Sequence, residues 1–172
     1  MQSDYEIIGE HIGPQRIDVL AIMEALRITY YERPMGDGIS GAIDWDKDKF
    51  TITVNSQIGP QRKRFTAAHE ISHYLIHRDL LMRAKNWGMH VDKLFGKTRH
   101  NDDPHPLNPD HEIQANRGAI KLLMPQFPVE QMWDESKGTQ EERVAKVAEI
   151  FDISTEAMTI RLETMGILKR IT

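Results

Sequence analysis

The sequence predicts an α+β fold, and three observations carry that prediction. Short β-branched and aromatic stretches gather early, at residues 28–31, 40–44 and 50–55. Long helical patterns fill most of the remainder, strongest over residues 61–77 and 110–123. Two shorter helical patterns, at 140–151 and 155–165, close the chain as a pair. With 172 residues the chain is long enough for one domain with a real core, or for a domain and a small helical appendage. The expected division is a main domain over residues 1–128 and a helical, helix–turn–helix-like extension over 129–172.

Taken in order, residues 17–26 read as a short amphipathic helix, with Ile17, Leu20, Ala21, Ile22 and Leu26 near one face. The strand at 28–31 is stopped by Pro34 and the Gly36-Asp37-Gly38 turn. Residues 46–49 form a polar hairpin connection between the next two strands. In the second of these, Thr51-Ile52-Thr53-Val54 alternates as a half-buried strand should. The helix over 61–77 is expected to continue through 79–95, up to or past Gly88. Residues 96–110, with Gly96, several prolines and Asp/Asn, read as a loop. The next helix ends at Met124-Pro125, because proline cannot continue it. Residues 126–138 read as a linker with a short helix.

Composition narrows the chemistry. The net charge of −4 provides no electrostatic footprint for nucleic acid or an anionic membrane. The chain has no cysteine, which excludes disulfides, thiolate metal sites and a cysteine nucleophile. No apolar run is long enough to cross a bilayer, and the start of the sequence shows no signal pattern. A cytoplasmic protein is expected.

The chemistry concentrates in His69-Glu70-Ile71-Ser72-His73, an HExxH sequence inside the strongest helix. Residues four apart on a helix share a face, so His69 and His73 can present two imidazoles to one ion. Glu70 then stands beside the ion as a carboxylate able to accept a proton from the attacking water. A catalytic zinc needs a third protein ligand. Without cysteine the candidates are His77, His90, His100, His105, His111 or a carboxylate. His77 lies about 12 Å along the axis from His69 at 1.5 Å per residue, too far for the same ion. Glu112 is the better choice because it opens a second helix that can pack on the first, while Asp110 and His111 remain alternatives.

Two ordered stretches resemble the ImmA/IrrE metallopeptidases. One is Arg64-Phe65-Thr66-Ala67-Ala68-His69-Glu70-Ile71-Ser72-His73-Tyr74-Leu75-Ile76-His77. The other is Glu112-Ile113-Gln114-Ala115-Asn116-Arg117-Gly118-Ala119-Ile120-Lys121-Leu122-Leu123-Met124-Pro125. The resemblance covers roughly residues 15–128. It implies a zincin-like fold, in which a small mixed or antiparallel sheet packs on the HExxH helix and a second ligand-bearing helix. It also implies zinc held by His69, His73 and Glu112, with Glu70 as general base and Mn2+ a possible substitute in assays. Gly118 stands where the family usually has phenylalanine, which is expected to leave a hole or room for another group. A stretch at Gly41, Ala42 and Ile43, read as a sheet edge, is a candidate for binding substrate backbone by β-addition. Tyr74, His105 and His111 are candidates for the oxyanion donor. Arg62, Lys63 and Arg64 read as a solvated charge run.

The implied function is a zinc-dependent endopeptidase of narrow specificity that cleaves a helix–turn–helix repressor or antitoxin-like partner, encoded nearby, to control transcription. One rival is a non-catalytic zinc protein that docks its partner. The other is a DNA-binding regulator using the C-terminal pair. Residues 140–172 carry five Lys/Arg and six Asp/Glu, a balance that does not favour DNA contact.

Overall fold

The computed structural model describes residues 2–46, 49–83, 90–93 and 107–169, with only the backbone described at 90–93. Its order is α1 (Asp4–Glu10), α2 (Val19–Ala25), β1 (Thr29–Arg33), β2 (Ile39–Asp46), β3 (Lys49–Asn55), α3 (Pro60–Arg83), β4 (His90–Lys93), α4 (Pro109–Leu123), α5 (Gln126–Glu135), α6 (Gln140–Phe151) and α7 (Thr155–Thr164). The α+β class is as the sequence predicts. Among the described residues no helix is long and apolar enough to cross a membrane.

The sheet runs β1-β3-β2-β4 and is mixed. β1 lies parallel to β3, whereas β2 pairs antiparallel with both β3 and β4. This overturns the reading of Gly41, Ala42 and Ile43 as a sheet edge. These residues sit opposite Val54, Thr53 and Ile52 on one side. On the other they face Asp92, Val91 and His90. Strand β4 takes the edge position instead, in a region where the helix was expected to continue. The described part of α3 reaches Arg83, and the expected continuation up to or past Gly88 falls on residues 84–89, outside the described residues. The loop expected at 96–110 falls largely outside the described residues.

Capping explains several boundaries. Ser3 and Glu6 form a capping box that starts α1, an element absent from the sequence expectations. Asp18 caps α2 by accepting from the Leu20 and Ala21 amides. Asn108 and His111 bond reciprocally at the start of α4, with Pro109 in the first turn. Thr139 and Glu142 repeat the device at α6, which ends on Asp152 in the left-handed region at φ 53°.

The described core has two apolar clusters. One joins Ile17, Ile22, Met23, Ile43, Ile52, Ile71 and Leu123 beneath the sheet and α3. The other joins Val129, Val147, Phe151, Met158 and Leu162. Ile153 packs against both. Two buried arginines tie separate elements together. Arg161 donates from Nε to the Met124 carbonyl at the end of α4 (3.0 Å). Arg64, read from sequence as part of a solvated charge run, is 6% exposed. Its Nη1 donates to the carbonyls of Phe151 (2.8 Å) and Asp152 (3.1 Å). Its Nε and Nη2 donate to the Ile17 carbonyl (3.3 and 3.2 Å). Burial, with a smaller effect from Arg16, lowers the pKa of this guanidinium, and Asp152 and Asp18 oppose the shift. The residue therefore ties α3, the segment before α2 and the α6–α7 turn together.

Arg64→Met keeps the packing volume but leaves three carbonyls without this donor. Charge-assisted hydrogen bonds of this kind contribute about 1.5–3 kcal/mol each at most. The expected loss is roughly 3 kcal/mol in urea unfolding, and an unchanged midpoint would show that the tie does not bear on stability.

Candidate metal centre

Helix α3 is unusual in the residues it hides. Arg64, Thr66, His69, Glu70, Ser72, His73 and His77 are all buried, whereas Ile76 is 46% exposed. Burying so many polar groups is costly unless each finds a partner. Much of that partnership comes from α4, which lies against α3 at close range. A side chain at Gly118 would put its Cβ 2.7 Å from Ser72 Oγ and 2.8 Å from Ser72 Cβ. The hole expected at Gly118 is thus occupied by Ser72, and the two helices meet too closely there for phenylalanine. Ser72 itself donates to the Ala68 carbonyl (2.8 Å), so its hydroxyl is satisfied within α3.

At this spacing Glu112 reaches the two histidines of the HExxH turn. His69 Nε2 lies 3.0 Å from His73 Nε2. Glu112 Oε2 lies 3.4 Å from the first and 3.6 Å from the second. The other ring nitrogens point away from this triangle and are engaged. His69 Nδ1 is 3.0 Å from Asn116 Oδ1, one helical turn after Glu112. His73 Nδ1 is 3.0 Å from His77 Nδ1, and His77 Nε2 is 3.1 Å from Gln114 Oε1. An amide oxygen only accepts, so the nitrogen facing it carries the proton. His69 is then protonated at Nδ1. His77, donating from Nε2 to Gln114, has a bare Nδ1 that accepts from His73 Nδ1–H. Both Nε2 atoms are left as lone pairs facing each other across 3.0 Å, with a carboxylate oxygen alongside.

With the protons placed this way the lone pairs and the carboxylate oxygen repel one another, and a cation among them would relieve the repulsion. The arrangement also has the dimensions for one. Ligands bound about 2.0–2.1 Å from a tetrahedral ion of zinc's size stand about 3.3 Å apart, close to the three separations here. Among the described residues His69, His73 and Glu112 form a group able to hold a metal ion. His77 stands behind His73 and does not join this triangle.

Glu70 is fully buried, with its carboxylate toward β2. A Cβ added at Gly41 would lie 3.4 Å from Glu70 Oε1 and would overlap the Thr66 methyl. Gly41 therefore admits the close approach of strand to helix beside Glu70. Ala42 and Ile43 are buried in the paired interior of the sheet. Tyr74 turns away from the centre: its hydroxyl donates to Asp4 Oδ2 (3.1 Å), and its ring meets Phe50 edge-on. His111 serves in the α4 capping box, with its ring 4.7 Å from that of His77. His90, His100 and His105 lie where no side chain is described. In α7 the basic residue Arg161 is buried, while Glu156 and Ile160 are exposed. That surface does not suit contact with phosphates.

Sequence reasoning missed the partners of the histidines. The signal was present in Gln114 and Asn116, two amide side chains beside Glu112 on the helix facing α3.

Comparison with known proteins agrees with this geometry. The family described as the IrrE N-terminal-like domain, a peptidase family, matches residues 23–163. The match runs beyond residue 128, where the sequence resemblance was expected to stop, and into α7. The chain is also 36% identical over 109 residues to the radiation response metalloprotease IrrE of Deinococcus deserti. The aligned part is 63% of this chain and 34% of that protein, so the chain spans about a third of its relative.

Gly41→Ala is expected to cost about 1–3 kcal/mol through overpacking against α3. Thr66→Ser, which deletes the obstructing methyl, should recover part of it. A double-mutant cycle by chemical denaturation measures the coupling. Strictly additive effects would mean that the two residues do not meet.

Proposed function

The chain belongs to the ImmA/IrrE family of metallopeptidases, and from that premise we propose that it is a zinc-dependent endopeptidase of narrow specificity. The observation that carries the reading is the triangle of His69 Nε2, His73 Nε2 and Glu112 Oε2, with both outer ring nitrogens engaged. Two nitrogens and one carboxylate oxygen, in a chain without cysteine, are a donor set suited to zinc, with Mn2+ a substitute in assays. A divalent ion held there supplies Lewis acidity, activating a water and polarising the scissile carbonyl.

The chain's own residues do the rest. Asn116 and His77 hold the two imidazoles with their lone pairs inward. Glu70, the carboxylate next to His69, accepts the proton of the attacking water and returns it to the departing amine. Gly41 lets β2 lie close enough to shield that carboxylate from bulk water. Because β2 is paired on both sides, an extended substrate would add to the sheet at β4, whose outer edge is open among the described residues.

In this reading residues 1–128 are the peptidase body and 129–172 a helical extension that engages the substrate. That substrate is a helix–turn–helix repressor or antitoxin-like protein encoded nearby, and its cleavage in the cytoplasm alters transcription. The family membership and the site support the peptidase chemistry. The choice of substrate follows from the family resemblance alone.

The test incubates the protein with the product of the adjacent gene and Zn2+ or Mn2+, beside Glu70→Gln. Cleavage should fall by about 10²–10⁴ in the variant, while metal content by atomic absorption stays at the wild-type level. Tight binding without cleavage under either metal would reverse the proposal in favour of a docking protein.

A further inference from the structure

The metal-binding reading makes neither His77 nor Gln114 a ligand, and their geometry points to a role one step behind the ligands. His77 is 3% exposed, in the middle of α3 and four residues beyond His73. A buried histidine can be a satisfied core residue and nothing more. This one, however, has one nitrogen on a metal-facing histidine and the other on α4, the helix that carries Glu112. We propose that His77 and Gln114 are positioning residues, a relay that holds His73 in the tautomer and ring orientation needed to bind the metal. The proposal rests on the metal-centre reading above.

The argument is one of donors and acceptors. Imidazole has one proton to place when neutral. If His73 carried it on Nε2, the nitrogen facing His69 and Glu112 could not bind an ion. Gln114 Oε1 prevents this at two removes. It takes the Nε2 proton of His77, which leaves His77 Nδ1 bare. That atom then takes the Nδ1 proton of His73 and frees Nε2. With Gln114 Oε1 as the acceptor and both imidazoles neutral, this order of protons satisfies both contacts. A histidine ligand commonly relies on a carboxylate or carbonyl for this purpose. Here an amide does it through a second imidazole, and Asn116 does it directly for His69. Residues 112–116 of α4 thus provide one ligand and the end-points that orient the other two.

The relay runs through a surface-exposed end, because Gln114 is exposed whereas His77 is not. This makes Gln114→Ala a variant that should fold even if His77→Leu does not. Zinc affinity, measured by competition with a chromophoric chelator, should fall about 10–100-fold in His77→Leu and by a smaller factor in Gln114→Ala. His77→Gln retains an oxygen that can accept from His73 Nδ1–H and should recover most of the affinity. In the zinc-loaded wild type, ¹⁵N NMR should find the His73 proton on Nδ1 and the His77 proton on Nε2. Unfolding temperatures of the metal-free forms separate a packing defect from a loss of metal grip. Wild-type affinity in both His77→Leu and Gln114→Ala would overturn the relay while leaving the metal centre intact. A wild-type protein that binds no zinc would bring down the metal centre and the relay together.

Discussion

The distance between α3 and α4 is the constraint on which the site depends. Gly118 has no side chain, and Ser72 stands where one would be. Only with the helices this close can Glu112 reach both His69 and His73 while Asn116 holds His69 and Gln114 holds His77. Well-packed interiors do not yield smoothly, so an added methylene is felt as displaced backbone or an altered rotamer. Ligand atoms some 3 Å apart leave little room for such displacement. The departure from the family's usual phenylalanine is therefore not a loose spot. It is the point where the interhelical distance is determined.

The metal helix is held from several directions, and each hold uses a different kind of chemistry. The sheet meets it at Gly41 and Thr66 by steric fit. The N-terminal helix meets it through Asp4, which accepts from Tyr74 Oη and Arg78 Nη1, both at 3.1 Å. The C-terminal pair meets it through Arg64 and two backbone carbonyls, those of Phe151 and Asp152. A helix with many polar groups inside cannot rely on an apolar stripe for its orientation. Named hydrogen bonds and close contacts take over that task, and they leave the histidines few alternative positions.

What was legible in the sequence follows from this division. The HExxH face needs only a four-residue spacing, and the helix opened by Glu112 declares itself by its pattern and by Pro125. The α+β class was readable for the same reason, since alternation and helical period are local. Strand β4 was not, because the pairing of His90–Lys93 with β2 is a long-range event, and the same blindness made an interior strand look like an edge. Helix α1 was missed since its seven residues bury only Ile8, although the Ser3–Glu6 capping box marked its start. Arg64 misled because a basic run normally faces water. Nothing local announces that its partners are carbonyls 47, 87 and 88 residues away.

The span of that Arg64 tie has a bearing on how the protein comes into being. A ribosome delivers the chain from its N-terminus, so the HExxH helix emerges long before Phe151 and Asp152. Until those carbonyls arrive, Arg64, five residues ahead of His69, has only the Ile17 carbonyl of its three acceptors. The nascent chain can therefore display the histidines of α3 and Glu112 of α4 while α3 is still incompletely secured. A centre whose helix is secured by a turn 87 residues downstream of Arg64 is completed only after that turn has been made.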